Sequence, residues 1–208
     1  MTAIDSNALI RPYASADLRA TYDICARTAH NGGDARGIYS DDDLMPDFFT
    51  APYLHFEPDL AFVLDIGAEP VGYVVGTADT AAFALRYRQE WIPRLAHKYP
   101  EGIGEPTTPD DVMIAVHYNP ERMALPEIAA YPAHLHIDLL PEYQRQGQGR
   151  ALMVTMLAAL AAAGADAVHV AMATANTGAR VFYDRLGFHE IAVSDPGPIT
   201  YLGRATSG

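Results

Sequence analysis

Between residues 134 and 160 the chain changes from one periodicity to another across a short loop that carries two glycines. His134-Leu135-His136-Ile137-Asp138-Leu139-Leu140 alternates polar and apolar side chains and predicts a strand. Ala151-Leu152-Met153-Val154-Thr155-Met156-Leu157-Ala158-Ala159-Leu160 is rich in helix formers and predicts a helix with an apolar face. The backbone turns between them through Gln144-Arg145-Gln146-Gly147-Gln148-Gly149-Arg150. Glycine lets the N–H groups of such a loop point inward. The first helical turn adds unpaired donors and partial positive charge. The combination is an anion site suited to phosphate or pyrophosphate.

What is missing narrows the ligand. A nucleotide-hydrolysing P-loop needs Gly-Lys-Ser/Thr at the helix start, whereas Arg150-Ala151 follows Gly149. A dinucleotide fold asks for G-x-G-x-x-G early in a βαβ unit and an acidic residue about 20 positions on. Only two of those glycines are present here, and they come late. An ordinary strand-to-helix loop is the competing reading of this stretch alone. Gln144-x-x-Gly147-x-Gly149 resembles the pyrophosphate loop, motif A, of the GNAT acyl-CoA N-acyltransferases. Asn176-Thr177-Gly178-Ala179-Arg180-Val181-Phe182-Tyr183-Asp184-Arg185-Leu186-Gly187-Phe188 is similar to the family's N-x-x-A-x-x-φ-Y-x-x-x-G-F signature, where φ is apolar. The start, Leu9-Ile10-Arg11-Pro12 then Ala16-Asp17-Leu18, also looks like the family. The resemblance implies an α/β (α+β) GNAT fold: a central mixed, twisted β-sheet flanked by helices, with splayed fourth and fifth strands.

At 208 residues the chain suits one domain spanning 1–208, with residues 1–7 and 205–208 expected to be loose. No stretch approaches the roughly 18 uninterrupted apolar residues of a membrane span. The start lacks the basic and apolar regions of a signal peptide. A lone cysteine, Cys25, allows no internal disulfide and fits a reducing cytoplasm. The formal charge of −12 argues against a nucleic-acid partner and makes a cationic acceptor plausible. A homodimer stays open.

In chain order, Leu9-Ile10-Arg11 reads as a strand. Ser15 is the expected cap of a helix from about 16 to 29, with Cys25 on its apolar stripe as a packing residue rather than a nucleophile. Residues 41–58 are aromatic and proline-rich; the GNAT resemblance implies that this segment covers the acceptor site, so a substrate lid is expected in preference to a short helix and loop packed on the sheet. Asp41-Asp42-Asp43 lacks calcium-loop spacing and reads as a solvated helix start. Leu60 to Asp65 and Val71 to Thr77 form a hairpin around 67–70. A helix from about 80 to 99 is expected to kink or split at Pro93. Another runs from about Pro109 to His117, so that 80–132 forms a helical insertion. Ala167 to Met172, Phe188 to Val193 and Ile199 to Arg204 are the later strands.

The wording of several stretches, among them Pro58-Asp59-Leu60-Ala61-Phe62-Val63-Leu64 and His136-Ile137-Asp138-Leu139-Leu140, resembles the acetyltransferase-like domain that ends animal O-GlcNAcases. That animal domain lacks a good pyrophosphate loop, whereas the loop here is intact. A free-standing relative able to bind acetyl-CoA as co-substrate is therefore expected. The resemblance also implies the roles. Backbone at Leu139 and Leu140 would pair with the pantetheine amides. Gln144 and the N–H groups of Arg145, Gln146, Gly147, Gln148, Gly149 and Arg150 would bind pyrophosphate, and Asn176 would touch the pantetheine arm. Tyr183 would be the general acid toward sulfur. Asp138 is the first candidate for general base, turned toward the thioester by a bulge, and His136 the second. His134 is expected only to hydrogen-bond within the sheet, and no metal site is implied. The reading is acetyl transfer to a primary amine of a small molecule or peptide. The alternatives are a non-catalytic CoA-binding or protein-interaction module, and an enzyme using a longer acyl-CoA.

Overall fold

The computed structural model describes residues 8–67, 69–102 and 104–207; the expectation about residues 1–7 and Gly208 lies outside them. Seven strands form one mixed sheet in the order β1-β2-β3-β4-β5-β7-β6. They are β1 (Leu9–Pro12), β2 (Ala61–Asp65), β3 (Pro70–Thr77), β4 (Ala133–Leu139), β5 (Ala167–Ala173), β6 (His189–Glu190) and β7 (Ile199–Ala205). All neighbours are antiparallel except β4 and β5, which are parallel and pair only through Ala133 with Val168 and His134 with His169. Beyond that point the two strands part.

The parity of β4 decides what the gap receives. Leu140 N–H donates to the Val71 carbonyl at 3.0 Å. The backbone groups of alternate residues back from Leu140 therefore face β3, and those of Ile137 and Leu139 face the gap. The β3–β4 register runs without interruption from Gly72–Leu139 to Thr77–His134, so the bulge expected near Asp138 is absent. A bulge is not needed: plain alternation already puts His134, His136 and Asp138 on one face.

One face of the sheet is covered by helix α7 (Gln148–Ala162), whose Leu152, Met153, Met156 and Leu160 are fully buried. The other carries α1 (Leu18–Ala26), α2 (Leu44–Phe49) and α3 (Ala51–Phe56). Beside these lie the inserted helices α4 (Thr80–Arg86), α5 (Ile92–Leu95) and α6 (Pro109–His117), and α8 (Thr177–Arg185) follows β5. Residues 44–56 are packed, not a loose lid: Phe48, Tyr53 and Phe56 are all buried. Aromatic burial on this scale holds a segment down.

Several local expectations need correction. Ser15 is not the helix cap; it opens a 3-10 turn, Ser15–Asp17, and the Asp17 carboxylate accepts Ala14 N–H at 2.8 Å while Arg11 grips it from the other side. The helix then ends at Ala26. The long helix expected after Thr80 is broken at Tyr87–Trp91 by a π turn immediately before Pro93, which has no N–H to give the preceding turn. Asp43 does stand at the start of α2, but Asp41 is paired with Lys98 at 2.9 Å. The strand after Phe188 is limited to two residues. The tail is tied as far as Thr206, which is buried and donates to the Ala165 carbonyl at 2.6 Å.

Gly76 lies where β3 passes β4, and a Cβ there would sit 2.7 Å from the His134 carbonyl oxygen. Gly76→Ala should force the strands apart and cost about 1–3 kcal/mol, read as a lower urea midpoint. An unchanged midpoint would show that the two strands can yield.

Candidate active site

The loop after β4 takes its shape from two left-handed residues, Arg145 (φ 60) and Gly147 (φ 87), the latter at the start of α7. The first helical hydrogen bond is Ala151 N–H to the Gly147 carbonyl at 3.1 Å. Among the described residues, the backbone N–H groups from Arg145 to Arg150 have no protein acceptor. Such a run of unspent donors at a helix start is a cradle for a diphosphate. Gly149 permits the close approach of α8, since a Cβ there would meet the Phe182 ring at 3.2 Å.

The loop's side chains point elsewhere. Gln144 donates through Nε2 to the Leu139 carbonyl at 2.8 Å, and Gln146 to the Glu142 carbonyl at 2.8 Å. Leu140 spends its N–H on β3, so the donors that β4 offers the gap are those of Ile137 and Leu139. Ile137 was missed in the sequence; only the hydrogen-bond parity of the strand reveals it. Asn176 caps α8, its Oδ1 accepting Ala179 N–H at 3.0 Å, and its Nδ2 amide has no partner among the described residues.

On the face away from α7, Asp138 is half-buried. Its Oδ2 accepts the Tyr73 hydroxyl at 2.6 Å, and its Oδ1 lies 3.0 Å from the Thr28 hydroxyl. Thr28 also faces the Ile24 carbonyl at 2.7 Å, so its single proton is shared. Burial pushes the Asp138 pKa up, against the pull of these two hydroxyls. A raised carboxylate is a stronger base than an exposed one. Thr50 completes the group, its hydroxyl 2.8 Å from that of Tyr73. Cys25 is buried next to them, and burial pushes its thiol up to about 12, which keeps it unreactive.

Neighbouring hydrogen bonds settle the histidine protons. Thr80 donates its hydroxyl proton to the Pro132 carbonyl at 2.7 Å, so it must accept from His134 Nδ1, 2.8 Å away. His134 Nε2 is then an acceptor for the Tyr53 hydroxyl at 2.6 Å. The Tyr53 oxygen in turn accepts from His136 Nε2 at 3.2 Å. This order leaves His136 Nδ1 with its lone pair and no protein partner. Burial lowers the His136 pKa to about 4 and that of His134 well below normal, so both are neutral near pH 7. His134 is locked in the packed network, as expected. Tyr53, Tyr73, Thr28 and Thr50 were missed, since residues far apart in sequence gave no sign of meeting here.

Tyr183 on α8 has a buried ring, and burial raises its pKa, with the Asp138 charge adding to the rise. Among the described residues its hydroxyl has no hydrogen-bond partner, yet it is not sealed from solvent. No described helix is long and apolar enough to cross a membrane.

A mixed sheet opened between its parallel strands, with a donor-rich loop leading into the helix behind it, is the architecture of the GNAT fold class. Residues 113–190 match the family model described as the acetyltransferase (GNAT) domain. The chain belongs to the GNAT acetyltransferase superfamily. It is 57% identical to the protein solved as SsHAT, with a TM-score of 0.94 over 97% of this chain and 100% of that one. It is 28% identical to the protein O-GlcNAcase of Rattus norvegicus over 200 residues, which is 94% of this chain but spans only 22% of the length of that relative. A phosphinothricin acetyltransferase from Sinorhizobium meliloti, solved in complex with AcCoA, shares the fold. Its TM-score is 0.55 at 15% identity, covering 96% of this chain and 88% of that one.

The neutral histidines set a pH dependence. His117, buried against Phe48, also has its pKa lowered to about 4 by burial. The unfolded chain takes up protons on His117, His134 and His136 near the ordinary 6.5, while the folded chain resists until about 4 for His117 and His136 and until well below 6.5 for His134. Their stabilisation is present in full above 6.5 and is lost as the pH falls toward 4. Asp138, shifted the other way, offsets a part of this within the acid range. Urea midpoints should therefore be lower at pH 4.5 than at pH 7, by about the worth of one to two such groups. A midpoint that rises on acidification would mean that these imidazoles are charged in the native state.

Proposed function

We propose that this protein transfers the acetyl group of acetyl-CoA directly to a primary amine of a small molecule or peptide. The observation that carries the reading is the run of unspent backbone donors at 145–150 beside the open edge of β4. When bound, the thioester supplies the activated acyl group; the remaining tasks fall to this chain.

The backbone from Arg145 to Arg150 holds the diphosphate, with the Arg145 and Arg150 side chains close by to supply positive charge. Ile137 and Leu139 offer main-chain groups to the pantetheine amides in the manner of an added strand. Asn176 Nδ2 faces the same arm. Asp138, with its raised pKa, takes the proton that the amine loses as its nitrogen bonds to the acyl carbon. His136 Nδ1 is the second acceptor for that proton and orients the amine. As the carbon–sulfur bond breaks, the Tyr183 hydroxyl gives its proton to sulfur. Its raised pKa keeps it protonated until then.

Asp138→Asn and Tyr183→Phe should each lower kcat by about 10²- to 10⁴-fold in a CoA-release assay. Acetyl-CoA affinity, measured by calorimetry, should stay nearly constant in both. Unchanged turnover in either variant would remove that residue from the mechanism. Gly149→Ala should do the opposite and weaken acetyl-CoA binding, because the added methyl pushes α8 away from the loop. A wild-type protein that binds acetyl-CoA but releases no CoA with any amine would support a binding module.

A further inference from the structure

The insertion between β3 and β4 delivers a cation to the acceptor side of the site. Arg122 lies in the 3-10 turn Pro120–Met123 and is half-buried. Its Nε makes one long hydrogen bond, 3.4 Å, to the Val116 carbonyl. Its central carbon stands 5.9 Å from the centroid of the Phe49 ring. The Phe49 ring is in turn 5.9 Å from that of His136. Among the described residues no carboxylate comes within ion-pair reach of Arg122, whereas Arg11, Arg27, Arg88 and Arg180 are each paired with acids.

This position is electrostatically unfavourable in the free protein. Burial pulls the Arg122 pKa below its ordinary value, against the pull of the Tyr53, Tyr87 and Tyr201 phenols. The same charge helps to depress His134 and His136. A cation withdrawn from water without a counter-ion is costly, and a planar guanidinium with free N–H groups is shaped for a carboxylate or phosphate.

We propose that Arg122 binds an anionic group, carboxylate or phosphate, carried by the acceptor at a distance from its reacting amine. This rests on the acetyl-transfer reading, because Asp138 marks where the amine sits. Asp138 and His136 are two residues apart on β4, roughly 7 Å along the strand, and the Phe49 ring is 5.9 Å from both the His136 ring and the Arg122 guanidinium carbon. Contacts run from Asp138 and His136 through Phe49 to Arg122, so the acceptor carries its negative group apart from its reacting nitrogen.

Three acceptors of equal chain length test this: 6-aminohexanoate, 6-aminohexyl phosphate and the neutral 6-aminohexanamide. With wild-type protein, at least one anionic acceptor should exceed the amide about tenfold in kcat/KM, and the better of the two identifies the group. Arg122→Gln should erase that preference through KM, leaving kcat with the amide and acetyl-CoA affinity unchanged. Arg122→Lys, which keeps the charge, should retain part of it. Equal use of all three by the wild type, or a preference that survives in Arg122→Gln, overturns the proposal. If no amine is turned over, the transferase reading fails separately. Calorimetry with glutarate and methyl phosphate, with CoA present to fill the loop, then decides: binding lost in Arg122→Gln supports the anion site, and no binding to wild type overturns it.

Discussion

The molecule depends on two parallel strands that pair for two residues and then separate. β4 and β5 meet at Ala133–Val168 and His134–His169, and past that point the Ile137 and Leu139 main chain is without a strand partner on that side. Polar backbone left unpaired inside a fold is costly unless something satisfies it. The rest of the site is arranged around this opening. The loop 145–150 lies at its far end and α8 beside it, while α1 to α3 cover the face where Asp138 and His136 emerge. An opening between strands is useful only if the sheet is otherwise rigid. The fully buried α7 side chains and the close β3–β4 approach at Gly72 and Gly76 supply that rigidity.

Beneath the face that carries Asp138 and His136 runs a connected set of polar groups that carries little charge. Thr80, His134, Tyr53 and His136 pass hydrogen bonds in one direction, and Thr50, Tyr73 and Thr28 surround Asp138. Burial keeps the imidazoles neutral, so Asp138 and Arg122 are the charges that act on this face. Charges of opposite sign at two ends of a neutral, poorly solvated surface exert more influence than they would in water. On the proposed transfer reading, such a surface orients an acceptor as well as holding it.

Much of the fold could be read from the sequence because the informative residues are close together. The hairpin of β2 and β3, the span of α6 and the strand–loop–helix at 134–160 all follow from local periodicity and turn residues. Local signals failed where a tertiary partner took over. Asp17 displaced Ser15 as the capping group because Arg11 holds its carboxylate in place. Pro93 exerted its effect one turn upstream, as a π turn rather than a simple kink. In the site, the loop was legible from its two glycines. The partners of Asp138 were not, since Thr28 and Tyr73 lie 110 and 65 residues from it. Arg122 carried no motif at all; it stands out only because no acid among the described residues pairs with it.

The carboxamide of Gln144 resting on the Leu139 carbonyl gives the site an entry threshold. A peptide-like molecule that drifts into the gap finds this acceptor already occupied, so displacing the occupant swaps one bond for a similar one with little net gain. Gln144 also begins the loop that carries the unspent donors at 145–150, so one residue joins the open strand edge to the donor-rich turn. While its amide stays in place, that part of the β4 edge is shielded from stray strands.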